Sequence, residues 1–176
     1  MSAVDELLDL FAHGGHEEYG EAVTIEDHMF LTAQAALQAG LRDELVVAGL
    51  LHDVGHLIDD PDDAFGVHDH GPPGAAWVEP RFGPVVAAAV GMHVEAKRWL
   101  CAVEPGYHDE LSPASRHTLQ HQGGPMSDAE RTTFETRPGW DDAVALRRLE
   151  DSLGKTPAPT IDRDALLALA RRLEVV

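Results

Sequence analysis

The sequence predicts an all-α fold, a single helical bundle that spans residues 1–176. Apolar residues recur at helical spacing along most of the chain, and capping residues, glycines and prolines stand where helices would begin and end. No stretch of convincing length shows the alternation that is typical of a strand. The 176 residues are 44% hydrophobic and 25% charged, as in globular domains with a full core. We expect the core at about residues 18–155, with a C-terminal helix within residues 156–176 that packs on it.

The N-terminal third of the chain contains three predicted helices. The first covers about residues 3–12, and the second follows the N-cap Thr24 and stops at Gly40. Residues 42–58 form a third helix that is apolar on every side, so it should lie at the centre of the fold.

Prolines and caps divide the rest of the chain. A short helix that begins at the Pro72-Pro73 pair should end near Pro80, and Ser112 with Pro113 opens another short helix. The remaining predicted helices cover residues 84–103, 128–136, 140–153 and 164–174, and Asp162 caps the last of them.

Charge and composition exclude several classes of partner. The net charge of −18 argues against nucleic acid, and no apolar run approaches the roughly 20 residues of a membrane span. Cys101 is the single cysteine, which excludes an intrachain disulfide and fits a reducing compartment. The acidic N-terminus lacks the pattern of a signal peptide. We expect a cytoplasmic protein that is a monomer or a weakly associating homo-oligomer, because its charge makes copies repel each other.

The His52-Asp53 pair indicates a metal site. It stands inside an apolar run over residues 45–58, where a buried carboxylate beside a buried imidazole is costly without a partner. A metal ion binds deprotonated carboxylate and neutral imidazole together, so it satisfies both groups.

Further ligand-type residues follow at intervals and suggest two metals. Asp53 would bridge them, with one metal held by His28, His52 and Asp151 and the other by His70 and His93. Such a set exceeds what one tetrahedral zinc needs, and imidazole with carboxylate suits iron, manganese or zinc. The only two lysines, Lys97 and Lys155, each follow a predicted ligand by four residues, which hints at a local anion pocket. Chance placement is the alternative.

The order His, His-Asp, His, His, Asp resembles the HD-domain superfamily of metal-dependent helical proteins. Most of that superfamily is phosphohydrolases, and a smaller branch is di-iron oxygenases. Five local motifs are similar to the organophosphonate oxygenases of that branch, namely Tyr19-Gly20-Glu21, residues 93–100, residues 111–119, Gln122-Gly123-Gly124-Pro125-Met126 and residues 148–155.

The resemblance implies an oxygenase with two iron ions in a mixed-valence Fe(II)/Fe(III) state and O2 as co-substrate. Its substrate would be a small organophosphonate, a 1-hydroxy-2-(amino or methylated ammonio)ethylphosphonate, whose C–P bond is cleaved to give phosphate and glycine or a betaine.

The resemblance also assigns roles to individual residues. The metal ligands would be His28, His52, Asp53, His70, His93 and Asp151, with Glu150 as the alternative to Asp151. Catalysis would involve His52, Asp53, His56 and Lys97. The substrate would be bound by Tyr19, Glu21, His56, Lys97, Ser115 and Arg148.

Two alternatives remain open at this point. An HD-domain phosphohydrolase that acts on a nucleotide or a phosphate monoester would use the same ligands and a metal-bound hydroxide. A non-catalytic regulatory HD domain is less consistent with an intact ligand set.

Overall fold

The structure is a computed structural model that describes residues 1–17, 23–58, 69–155 and 158–175. Within these ranges it contains ten helices and no strand, which confirms the predicted all-α fold. The predicted substrate residues Tyr19 and Glu21 lie outside the described residues, so their roles stay predictions.

The first two helices begin where the sequence places their caps. Helix α1 spans Ala3–Gly14 and α2 spans Ile25–Gln38. The Thr24 side chain accepts a hydrogen bond from the backbone N–H of Asp27, which satisfies one of the free donors at the start of α2. Helix α2 buries one face against the next helix and thereby carries His28 into the core.

The apolar stretch that was expected to be one helix is interrupted. Helix α3 spans Asp43–Leu51 and α4 spans Gly55–Ile58, with a turn between them that carries His52 and Asp53. A Cβ atom at Gly55 would lie 2.1 Å from the carbonyl oxygen of His70, so the chain approaches this segment too closely for any side chain. The prediction of a continuous helix over residues 42–58 is therefore wrong.

A kink joins the two helices that were expected at residues 72–80 and 84–103. Helix α5 spans Gly71–Val103, and Gly83 inside it has a left-handed φ of 84°. Pro84 follows directly and cannot continue the ladder of backbone hydrogen bonds. His70 precedes the helix, and His93 and Lys97 lie buried one turn apart on its second half.

Five shorter helices complete the fold. The described remainder of the chain contains α6 (Tyr107–Glu110), α7 (Pro113–His121), α8 (Asp128–Phe134), α9 (Trp140–Ser152) and α10 (Arg163–Leu173). The caps Ser112, Ser127 and Asp162 each accept a hydrogen bond from a backbone N–H in the first turn of the helix that follows.

The core lies where α2, α3, α5 and α9 pack together. Phe30, Leu50, Leu51, Val90 and Leu146 are almost completely buried there. This packing brings together His28 on α2, the turn after α3 that carries His52 and Asp53, and His93 on α5. His70, which precedes α5, and one face of α9 lie at the same place. Among the described helices, none is long and apolar enough to cross a membrane.

Candidate metal centre and anion pocket

Asp53 lies at the centre of a buried cluster of histidines. Its Oδ2 is 3.2 Å from Nε2 of His52 and 3.6 Å from Nε2 of His28, and its Oδ1 is 3.0 Å from Nε2 of His70 and 3.5 Å from Nε2 of His93. The carboxylate therefore faces two pairs of imidazoles, one pair at each oxygen. Two sets of three potential ligands result, each within metal-binding reach and each sharing Asp53.

The orientation of two imidazoles leaves their Nε2 atoms available to a metal. His52 Nδ1 lies 2.8 Å from the carbonyl oxygen of Gly49, and His93 Nδ1 lies 2.7 Å from that of Val90. A carbonyl can only accept, so Nδ1 carries the proton in both rings and Nε2 keeps its lone pair. This is the second-sphere arrangement that orients metal-binding histidines.

Asp53 itself supplies the test of whether a metal fits. Both carboxylate oxygens are buried, and within the described part of the chain neither receives a hydrogen bond. A buried carboxylate whose oxygens receive no hydrogen bond is costly. Four imidazoles aim ligand atoms at the same place, so metal ions are the partners that this donor set fits.

Electrostatics also favour positive charge at this point. Burial by itself would raise the pKa of Asp53, but His52 beside it holds that pKa well below its usual range. Burial opposes protonation of His52, but Asp53 outweighs this effect and raises the pKa of His52 to about 9. The carboxylate thus attracts a cation, and a bound metal would take the place of that proton.

The carboxylate from α9 that approaches the cluster is Glu150. Its Oε1 is 3.9 Å from Nε2 of His28, and its side chain is buried. Asp151 points elsewhere, to the hydroxyl of Tyr107 and the guanidinium of Arg147. The expected position of Asp151 beside His28 is therefore corrected by one residue, since the packing of α9 turns Glu150 inwards.

The arginine of α9 is corrected in the same direction. Arg147 is 3% exposed and lies next to Glu150, with its Nη2 also 3.1 Å from the Oγ of Ser115. Arg148, which the sequence assigned to substrate, has a half-exposed side chain that pairs with Glu104 at the surface. One helical register explains both shifts, because Arg147 and Glu150 lie on the buried face of α9 with Leu146.

Lys97 supplies a second buried cation near Arg147. It is 3% exposed, and its Nζ donates to the Thr118 hydroxyl over 2.8 Å. Burial first, and the neighbouring charge of Arg147 second, lower the pKa of Lys97 to about 8. Lys155 instead lies at the surface and pairs with Glu110, so only one of the two lysines belongs to this region.

Two buried cations and two partly buried hydroxyl residues lie together in a cluster that we call the anion pocket, defined as Lys97, Ser115, Thr118 and Arg147. Helices α5, α7 and α9 each contribute to it. His56 lies beside the metal cluster, where its ring is 3.8 Å from that of His70, measured between centroids.

Sequence reasoning found most of the cluster but missed Arg147, Thr118 and the partners of Asp151. Arg147 was recognisable in principle, because it follows the apolar Ala143 by four residues and so lies on the same face of its helix. Thr118 follows Ser115 by one turn, a spacing that places both on one face. The link from Asp151 to Tyr107 joins residues 44 apart and left no local signal.

Comparisons with known proteins show the family to which the chain belongs. The HD domain model matches residues 25–170. A [1-hydroxy-2-(trimethylamino)ethyl]phosphonate dioxygenase (glycine-betaine-forming) of Leisingera caerulea is 39% identical over 168 residues, which cover 90% of this chain and 84% of the relative. A hydroxymethylphosphonate dioxygenase of Gimesia maris is 39% identical over 84% of this chain and 76% of its own length. An uncharacterized protein of Acanthamoeba polyphaga mimivirus is 34% identical over 84% of this chain and 71% of that protein.

Proposed function

Because this chain belongs to the HD-domain family, and within it to the phosphonate dioxygenases, we propose that it cleaves a 1-hydroxy-2-(amino or methylated ammonio)ethylphosphonate with O2. The products are phosphate and glycine or a betaine. The reaction balances with one O2, because the C–P and C1–H bonds break while the carbon and the phosphorus each gain one oxygen. A single proton is released.

The two metal positions would hold iron in a mixed-valence Fe(II)/Fe(III) pair. His28, His52 and Glu150 would bind one iron, His70 and His93 the other, and Asp53 would bridge them. When bound, the irons supply the redox chemistry that O2 and the C1–H bond require. The protein holds the irons, orients the substrate and neutralises its charge.

The observation that carries the proposal is the position of the anion pocket directly beside the metal cluster. Arg147 Nη1 is 3.0 Å from the same Glu150 carboxylate that approaches His28. A substrate whose phosphonate lies on Lys97, Ser115 and Arg147 would therefore place its next carbon and hydroxyl towards the metals. Charge-assisted hydrogen bonds from a lysine and an arginine suit a phosphonate dianion.

His56 would donate a hydrogen bond to a substrate oxygen, since its ring lies against that of the predicted ligand His70. The roles proposed for Tyr19 and Glu21, to cover the irons and recognise the amine, rest on the resemblance alone. A primary amine would favour Glu21, and a trimethylammonium group would favour aromatic faces.

We also propose that the chain is a single HD domain with a small-molecule substrate and no nucleic-acid or membrane partner. Its net charge of −18 supports a monomer or weak homo-oligomer and disfavours phosphate backbones. A cytoplasmic location is consistent with the single cysteine, Cys101.

Anaerobic reconstitution with iron, followed by addition of O2, tests the activity. Oxygen uptake and phosphate release should occur together with 1-hydroxy-2-aminoethylphosphonate or its N-methylated forms. Hydroxymethylphosphonate serves as the comparison substrate without an amine. Release of phosphate from a simple monoester without O2 would instead establish a phosphohydrolase.

A further inference from the structure

Asp151, which is partly buried, and the buried Tyr107 form a pair that contacts Arg147. The Tyr107 hydroxyl donates to Oδ2 of Asp151, and the two Asp151 oxygens accept from Nε and Nη2 of Arg147 at 3.1 Å and 2.6 Å. Asp151 thus binds the guanidinium through two parallel hydrogen bonds, the arrangement that fixes its plane most strictly.

The other N–H groups of Arg147 face Glu150, which approaches the metal cluster, and Ser115 of the anion pocket. Nη1 lies 3.0 Å and 3.1 Å from the two oxygens of Glu150, and Nη2 lies 3.1 Å from the Oγ of Ser115. With Asp151 on one edge, the guanidinium turns Nη1 to Glu150 and the second N–H of Nη2 to Ser115, so a phosphonate beside Ser115 would share these N–H groups with them. The orientation of the guanidinium is therefore set before any anion arrives.

Asp151 contributes both charge and geometry. Glu150 and Asp151 together balance the two buried cations of this region, Arg147 and Lys97. The geometric contribution of Asp151 is the two-bond contact with Arg147, which fixes the plane of the guanidinium.

Tyr107 holds Asp151 in turn. It is 6% exposed and is the buried residue of the short helix α6. Burial, with the charge of Asp151 adding to it, raises the pKa of Tyr107 above its usual value, so the phenol keeps its proton and remains a donor. Its hydroxyl donates to Oδ2 of Asp151, the same oxygen that accepts from Arg147 Nε.

We propose that Tyr107 and Asp151 are positioning residues that hold Arg147 in the orientation in which it binds the phosphonate. This inference rests on the proposed function, in which Arg147 contacts the substrate. Without the pair, Arg147 would keep only Glu150 and Ser115 as partners. The plane of its guanidinium would then have to be fixed when substrate binds, and that cost would appear in affinity rather than in the chemical step.

Tyr107→Phe is the first test, because it removes one hydroxyl and no charge. The KM for the phosphonate should rise about fivefold while kcat stays within about twofold of wild type. Iron content and melting temperature should match those of the control Asp109→Asn, whose side chain is 88% exposed in the same helix. An unchanged KM would overturn the proposal.

Asp151→Asn is the second test and has a defined sign. The KM should rise about tenfold or more, because Asn cannot accept both hydrogen bonds of the guanidinium. A fall in KM would mean that Asp151 only competes for charge. A loss of iron would mean that Asp151 is a metal ligand. Either result contradicts a positioning role.

The effect of Tyr107→Phe on KM should also depend on Arg147. In an Arg147→Lys background, Tyr107→Phe should raise KM by less than about twofold, since an ammonium cannot use the two-bond contact. A full fivefold rise in that background would show that Tyr107 acts independently of Arg147.

Equilibrium binding of methylphosphonate to the iron-loaded proteins separates this inference from the activity. Methylphosphonate lacks the hydroxyl, so binding is read without turnover. If wild type binds it and releases no phosphate from any hydroxyphosphonate, the proposed function fails while the positioning role is still measured. If wild type turns over and Tyr107→Phe binds methylphosphonate equally well, the positioning role alone fails.

Discussion

Glu150 Oε1 lies 3.9 Å from Nε2 of His28, while the adjacent Asp151 turns away to Arg147 and Tyr107. Two consecutive carboxylates therefore face two different groups on either side of one arginine. In the proposed assignment, Glu150 would complete the shell around one metal position, and Asp151 would fix the orientation of the cation beside it.

Replacement of Glu150 by Gln should remove about half of the bound iron, because a neutral amide is a poor ligand and leaves His28 and His52 without a carboxylate from α9. Asp151→Asn is the matched control and should keep both irons. Iron per chain after desalting measures the difference. If Asp151→Asn loses iron and Glu150→Gln keeps it, the assignment of ligands in α9 is reversed.

Replacement of Arg147 should affect the substrate and replacement of Arg148 should not. Arg147→Gln removes a buried cation from the anion pocket and should raise the KM for the phosphonate about tenfold to a hundredfold. Arg148→Gln breaks only a surface pair with Glu104 and should leave KM within about twofold. Steady-state kinetics of both variants decide the register, and the opposite ranking would restore the assignment to Arg148.

The register of α9 could not be predicted from the local sequence. The chain reads Arg147-Arg148 and Glu150-Asp151, so an arginine and a carboxylate three residues apart exist in two registers that differ by one. Local spacing cannot choose between them. The choice is made by the packing of α9 on α5, which buries Leu146 and Arg147 together.

The metal cluster, in contrast, was predictable from a local feature of the sequence. His52-Asp53 interrupts an apolar run, and such a pair needs a partner whatever the tertiary structure is. The close approach of His70 to Gly55, beside the break between α3 and α4, was not predictable, because it joins distant parts of the chain. The capped starts of α2 and α7 depend only on neighbouring residues and were placed correctly.

Lys97 should give the pH profile of KM for the phosphonate an alkaline limb, that is, a rise in KM at high pH. Its pKa in the folded protein is about 8, lowered mainly by burial, and only the protonated form attracts a phosphonate dianion. The KM should therefore rise as the pH passes upwards through about 8 and stay low below it. Lys97→Arg should move that limb to higher pH, because a guanidinium does not lose its proton in this range.

The chain offers a control for this lysine. Lys155 is exposed and pairs with Glu110, so Lys155→Gln should leave the pH profile of KM unchanged. If Lys97→Arg and wild type show the same alkaline limb, Lys97 is not the group that titrates.

Substitution of Gly55 by Ala should destabilise the fold around the metal cluster. The new Cβ would lie 2.1 Å from the carbonyl oxygen of His70, a backbone atom that cannot move aside without displacing a predicted ligand. We expect a loss of about 3 kcal/mol in the free energy of unfolding, measured by denaturant titration. Gly14→Ala is the control, since its nearest neighbour is a Leu57 side-chain atom at 3.4 Å. Equal stability of the two variants would show that the turn after α3 can relax.

Reaction of the iron-loaded protein with 1-hydroxy-2-aminoethylphosphonate under isotopically heavy O2 tests the proposed activity most directly. Phosphate and glycine should form together, heavy oxygen should appear in the products by mass spectrometry, and no phosphate should be released under nitrogen. Phosphate that forms under nitrogen and takes its new oxygen from water would contradict an oxygenase and identify a hydrolase.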